Sequence, residues 1–387
     1  MGGYRPKYHL SPMLHQTRSL LAGLLLSLVL VGCSSAGLGR SKNLDPIDYV
    51  DPYMGNISHL LVPTFPTVHL PNGMMRVHPQ RTDYASEQIA GLPVILTSHR
   101  GVSAFAISPL SALSDSLPEV SRYSYDSESV RPYLYEVTLL EPEVRVRYAP
   151  SYRSAIYQFN FERAKAGHHL VFSTPDGELV ASGKNLFGYQ QLEDSTRVYL
   201  YAEMDAEPTE RLVRDTLTGR LATVDGVARG NTLCLSFAKQ GVTLRYGVSY
   251  ISVEQAKRNV EQEIQSFEVN LVAKYGRNEW SKALDKVEIE GGTPEERRVF
   301  YTSLYRTYER MICLSEDGHY WSGFDKKVHD DEGVPFYTDD WLWDTYRAAH
   351  PLRILLDPVK EQQMLTSYLR MAEQSPEGWL PTFPEVT

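Results

Sequence analysis

The sequence predicts a two-part fold: an N-terminal antiparallel β-sandwich followed by a helical domain. Three observations carry this. Between Pro93 and Tyr250, short apolar or alternating runs are separated by turn residues, with no helical-period stretch among them. At Ser252 the period changes and a series of capped helices begins. All five tryptophans (Trp280, Trp321, Trp341, Trp343 and Trp379) fall after that change, so composition also shifts, placing a boundary between about Tyr250 and Gly292.

The 387 residues leave room for two domains and a large core. The formal net charge is −9, and no basic stripe is present to neutralise phosphates, so nucleic acid is excluded as a partner. Tyrosines number 25, a richness that suits both carbohydrate contact and β-strands.

The first residues are a targeting segment. Arg5, Lys7 and Arg18 precede an apolar run from Leu20 to Val31, which is too short for an ordinary membrane span. It ends in Leu30-Val31-Gly32-Cys33-Ser34-Ser35. Residues 1–32 resemble a bacterial lipoprotein signal, with Cys33 acylated and becoming the new N-terminus; a plain secretory signal is the alternative. Lipidation would hold the protein on a membrane surface without spanning it, in the cell envelope. Cys234 and Cys313, the other two cysteines, sit in apolar contexts that suit buried free thiols, and no spacing resembles a zinc site.

Residues 33–44 read as a tether and the sandwich as 45–250. The proline-rich stretch with Pro63, Pro66, Pro71 and Pro79 is extended and looped. His59, His69, His78 and His99 fall in or near it without a tight metal-ligand spacing. Strands are predicted over Tyr133–Leu140, Glu143–Tyr148, Ala155–Phe161, His168–Phe172, Arg197–Ala202, Thr232–Phe237 and Val242–Tyr250. Residues 251–292 read as a helical linker: a helix from the Ser252 cap to Lys274, ending near Gly276, a turn over Trp280–Asp285, and a short strand over Lys286–Glu290. Thr293-Pro294-Glu295-Glu296 starts another helix, running through Met311, and Asp357-Pro358 starts one through Met371. Between them lie a loop, Ser315 to Tyr337, and the stretch Phe336 to Pro351 (FYTDDWLWDTYRAAHP).

That stretch is the centre of the functional reading. A helix capped by Thr338 would place Asp339 and Asp340 in its first turn, where the helix dipole favours negative charge. Asp340 with Asp344, and Trp343 with Arg347, would then share faces at four-residue spacing, and Leu342, Tyr346 and Ala349 would form the buried stripe. An indole beside a carboxylate and a guanidinium suits a sugar: the flat ring covers C–H groups while the charged groups bond hydroxyls. Tryptophans at this spacing suit a packed core equally well.

Several motifs together resemble glycoside hydrolase family 92, the calcium-dependent exo-acting α-mannosidases. They are Asp51-Pro52-Tyr53-Met54-Gly55, Ser252-Val253-Glu254-Gln255-Ala256, Glu290-Gly291-Gly292-Thr293 with Phe300-Tyr301-Thr302-Ser303-Leu304-Tyr305, and Gly378-Trp379-Leu380-Pro381. The most recognisable is Leu342-Trp343-Asp344-Thr345-Tyr346-Arg347 with His350-Pro351-Leu352. The resemblance implies a β-sandwich packed on an (α/α)6 barrel, whose first helices would be 293–387. It implies hydrolysis of terminal α-mannosides of glycans with inversion, the two carboxyls standing roughly 6.5–9.5 Å apart to admit water. It implies a Ca2+ that holds the sugar's O2 and O3. Asp344 matches the aspartate that binds the terminal mannose, with Trp343 and Arg347 supporting that subsite. The general acid, the general base and most calcium ligands are expected beyond Thr387, so no catalytic residue is assigned within the chain and the chain alone is expected to be inactive. Two positions depart from the family pattern: Thr67 stands for a glycine and Asn72 for an aromatic, in a region expected to face the active site. The competing reading is a non-catalytic surface lipoprotein that binds glycans.

Overall fold

The computed structural model describes residues 44–58, 63–81, 86–98, 101–114, 116–118, 120–161, 167–193 and 196–386. The stretch 1–32 expected to be a signal, Cys33, His59 and His99 lie outside the described residues. No described helix is long and apolar enough to cross a membrane.

Among the described residues, two large antiparallel sheets and a two-stranded pair (Val68–His69 with Arg76–Val77) form the first part. The larger has ten strands in the spatial order Ala228–Gly230, Gly177–Ser182, Asn185–Gln191, Arg197–Met204, Gly241–Ser249, Ser154–Asn160, Val144–Pro150, Leu134–Leu139, Arg122–Arg131 and Gln88–Ala90. The smaller has six: Leu221–Thr223, Glu210–Arg214, Thr232–Ser236, His169–Ser173, Ser103–Leu110 and Leu92–Leu96. Arg197–Met204 shows the expected alternation, with Val198, Leu200, Ala202 and Met204 buried. Side chains of both sheets share one core. Tyrosines of the large sheet tie it to the small one: Tyr157 OH donates to the Pro93 carbonyl at 2.9 Å and Tyr246 OH to that of Val94 at 2.7 Å. Their hydroxyls are thus satisfied inside an apolar layer.

Six helices follow. Helix α1 (Val253–Glu263) starts where the Ser252 hydroxyl accepts from the Gln255 amide. It lies so close to the strand Gly241–Ser249 that a Cβ on Gly247 would meet the Ala256 carbonyl oxygen at 2.1 Å. The predicted continuous helix is in fact two. Arg245 Nη1 takes the Ile264 carbonyl at 2.7 Å and its guanidinium lies over the Phe267 ring, fixing a break. Helix α2 (Val269–Leu284) then runs through Gly276 instead of stopping there. That glycine is interior because a Cβ would meet the Tyr133 Cβ at 2.9 Å, so it marks close packing on the sandwich rather than a helix end. Trp280 belongs to the same helix, fully buried, its indole N–H donating to the His69 carbonyl. Residues 286–290 form no strand; the Val287 carbonyl accepts from Tyr301 OH.

Helix α3 (Pro294–Thr307) has a full capping box, with Thr293 and Glu296 bonding each other's backbone amides. The stretch Ser315 to Tyr337 is not a plain loop: His319–Ser322 pairs with Lys327–Asp330. Helices α4 (Leu342–Thr345), α5 (Ala349–Leu356) and α6 (Pro358–Gln374) complete the series. Asp357 caps α6 by accepting from the Lys360 amide. A second core joins Leu70, Tyr133, Leu134, Ala149 and Ile156 of the sandwich to Val260, Trp280, Leu304, Tyr305 and Tyr308 of the helices. The two parts are therefore packed through common apolar side chains.

Candidate functional site

The stretch 336–351 does not fold as one helix. Tyr337 and Thr338 pair as a strand with Cys313 and Ile312, so Thr338 is not a helix cap. Asp339 has a left-handed backbone (φ 67°), and the Asp340 and Leu342 amides donate to the carbonyls of Pro384 and Thr382, at 3.0 Å each. Only then does the single turn of α4 begin. The reason is that both carboxylates are worth more elsewhere than at a solvated helix start. Asp339, buried, forms an ion pair with buried Arg76 of the sandwich. Asp340, wholly buried, accepts on Oδ2 from Tyr368 OH (2.7 Å), Thr345 Oγ1 (2.9 Å) and His350 Nε2 (2.9 Å).

His350 lies between two acids. Its Nε2 faces Asp340 and its Nδ1 faces Glu361 Oε1 at 2.6 Å. Both ring nitrogens can donate at once only as imidazolium. Burial opposes that charge, but the hydrogen bonds to Asp340 and Glu361 outweigh it and push the His350 pKa up to about 9. The same contacts hold Asp340 below the usual carboxylate range, against its own burial. Arg353, on α5, donates to the Thr307 carbonyl at 3.0 Å and to that of Arg310.

This framework fastens a turn that faces solvent. Trp343 is 69% exposed, and Asp344, Tyr346 and Arg347 are exposed beside it. The predicted pairs are not formed as drawn. Asp340 is buried while Asp344 is open, and the Arg347 guanidinium turns onto its neighbour Tyr346, with Nε donating to the phenol oxygen at 3.0 Å. Tyr346 is consequently not in a buried stripe. Next to the turn, Trp341 meets Phe383 edge-on at 5.8 Å and carries the Arg310 guanidinium 5.1 Å above its ring. Arg310 also lines a small cleft with Phe65, Thr67, Arg76, His78 and Glu309, where the sandwich and the helices meet. Phe65 stacks flat on His78 at 4.2 Å. Burial pulls the pKa values of His69 and His78 down to about 4, so both are neutral at pH 7, each bonded to a backbone carbonyl.

A family model for the glycosyl hydrolase family 92 N-terminal domain matches residues 49–249, and one for the family 92 catalytic domain matches residues 255–387. The chain belongs to glycoside hydrolase family 92. Among solved structures, it is similar to the family 92 inverting mannosidase BT2199 from Bacteroides thetaiotaomicron, with 26% identity and a TM-score of 0.78 over 89% of this chain and 50% of that one. The family 92 α-mannosidase BT3965 of the same organism has the same fold, at 22% identity, TM-score 0.78, and 89% and 52% coverage. The chain thus spans about half the length of the solved structures it matches. No protein with a curated description matches it.

Within this family 92 chain, the two departures from the pattern are junction contacts. Thr67 Oγ1 donates to Glu309 Oε1 at 2.7 Å, and the Tyr305 hydroxyl takes the Thr67 carbonyl. Asn72 adopts φ 58° and its amide donates to the Met311 carbonyl at 2.9 Å and, more weakly, to that of Arg310. Both side chains stitch the sandwich to the end of α3. The calcium expectation finds no ligand set here: among the described residues, no three His, Cys, Asp or Glu side chains are grouped to hold a metal ion. The buried carboxylates Asp339 and Asp340 are instead taken up by Arg76 and by the His350 group.

Proposed function

We propose that this chain serves an α-mannoside-hydrolysing protein by holding the terminal mannose of a glycan against the Trp343–Asp344 turn. The observation that carries this is the exposure of an indole and a carboxylate together on a turn whose flanks are anchored from both parts of the fold. The Asp344 carboxylate would accept from sugar hydroxyls, the Trp343 face would cover the ring's C–H groups, and Arg347 would support the subsite. Family membership and the inverting mannosidase among the similar structures support the substrate class and inversion at the anomeric carbon. Inversion needs one carboxylic acid to protonate the leaving oxygen and a carboxylate to activate water on the opposite ring face. Neither role is given to a described residue. Calcium belongs to the same reading, and no step is assigned to it. The match of both family models disfavours a stand-alone glycan-binding sandwich.

Asp344→Ala and Trp343→Ala in the native protein are the tests. Each is expected to weaken binding of methyl α-mannoside, measured by calorimetry, by ~10-fold or more, since a lost hydroxyl partner costs on the order of 1–3 kcal/mol. Unchanged affinity in both would refute the assignment. We further propose export as a lipoprotein acylated at Cys33; labelled palmitate should enter the protein and be lost in Cys33→Ala, and equal labelling of the two would end that proposal.

A further inference from the structure

A second cavity lies where five stretches of the sequence converge. It has a volume of about 430 Å3, within the range of small-molecule sites. Its walls come from Pro71–Met74 and Tyr152–Arg153 of the sandwich, from Cys313 to Gly318, and from Tyr337 and Lys360. None of Trp343, Asp344 and Arg347 lines it.

Its electrostatics have a definite sign. The Arg153 guanidinium is paired with Glu263 at 2.8 Å. The Asp317 carboxylate is paired with Arg258 at 3.5 Å and accepts from the Gln255 and Gln262 amides. Those two charges are answered. The Lys360 ammonium is not: among the described residues it makes one long hydrogen bond, 3.4 Å to Asn72 Oδ1, and no ion pair. The nearest acid in sequence, Asp357, gives one oxygen to Lys286 Nζ at 2.7 Å and the other to the Lys360 backbone amide. Burial pulls the Lys360 pKa down against the charge of Asp357, and the neighbouring Lys286 and Arg353 add to the fall. The walls supply apolar surface. Tyr152 and Tyr337 have their hydroxyls engaged elsewhere, with Glu279 at 2.9 Å and Gln363 at 3.5 Å, and so offer ring carbons together with Pro71, Met74 and Pro335.

We propose that this cavity binds a sugar-sized organic anion, whose single carboxylate or phosphate group pairs with Lys360 and whose ring lies against Tyr152 and Tyr337. One cation without an ion pair calls for one anionic group, and the volume and aromatic walls suit a single ring. The proposal does not lean on the mannose reading of the Trp343 turn.

Calorimetry of the native protein with glucose 6-phosphate, glucuronate and neutral glucose tests it. Binding of either anion is expected, weakened by added salt, and Lys360→Met should reduce that affinity at least tenfold while Lys239→Met, outside the cavity, leaves it unchanged. Phosphate and carboxylate sources are distinguished by which of the two anions binds. The absence of heat with both anions up to about 10 mM would overturn the proposal, as would equal binding by Lys360→Met, or an equal loss in Lys239→Met. Should Lys360→Met fail to fold, hydrogen exchange of the unaltered protein decides. The bound anion should slow exchange in 71–74 and 313–318, and unchanged exchange at saturation would overturn the proposal.

Discussion

Replacing His350 with leucine removes the cation that bonds both Asp340 and Glu361. All three side chains are buried, and the ring bonds both acids, at 2.9 and 2.6 Å. Leucine fills similar space but leaves two carboxylates with a lost donor each. Breaking a buried ionic group in this way costs about 3–5 kcal/mol at neutral pH. The pH dependence gives the same interaction an independent size. His350 is raised from its ordinary 6.5 to about 9, so the folded state binds the proton more tightly than the unfolded state does. Its contribution is full below pH 6.5 and is lost as the pH climbs through 9; about 2.5 pK units correspond to roughly 3 kcal/mol. Urea unfolding from pH 6 to 10 should show wild type losing that much stability relative to His350→Leu, with the two curves converging above pH 9. Taking the difference between proteins cancels groups that titrate in both. Parallel curves, with a constant gap across the range, would refute the claim that the ring is held charged.

Arg76→Met should destabilise by about 3–5 kcal/mol, because Asp339 is left buried without its cation, and adding Asp339→Leu should restore part of that loss; chemical denaturation of the single and double variants measures it. Thr67→Ala should cost about 1–2 kcal/mol through the hydrogen bond that Glu309 loses, whereas Asp344→Ala, on the open turn, should shift stability by less than about 0.5 kcal/mol; thermal unfolding separates the two. Glu316 is buried and pushed up to about 7 by desolvation, which its bonds to the Tyr250 amide and the Asn259 side chain only partly offset. A carboxyl raised from 4.5 is most stabilising below that value and loses its contribution as the pH rises to 7, so Glu316→Gln should flatten the unfolding free energy over pH 4.5–7.

The sandwich was legible because period-two runs such as Val198–Met204 need only local information. Capped starts such as Thr293-Pro294-Glu295-Glu296 were equally readable, since each cap satisfies its own backbone. What escaped was set by partners remote in the chain. Gly276 reads as a stop until Tyr133 is seen pressed against it. Asp339 and Asp340 read as a helix start until Arg76, His350 and Tyr368 claim them. The Trp-Asp motif could be picked out by its residue types, but its exposure could not, since indoles at that spacing serve a core equally well. The polar strand Arg122–Arg131 went unread because only its pairing with Leu134–Leu139 reveals it.

The core that runs from Leu70 and Ile156 into Trp280 and Tyr305 has a consequence for how the molecule comes apart. Neither portion owns that apolar layer, so excising the sandwich would strip it of a wall and leave greasy surface bare to water. Melting should therefore register as one calorimetric event, and a protease should find no clean seam near residue 250. Recombination that swapped either portion for a distant cousin's would have to carry the matching half of the seal with it.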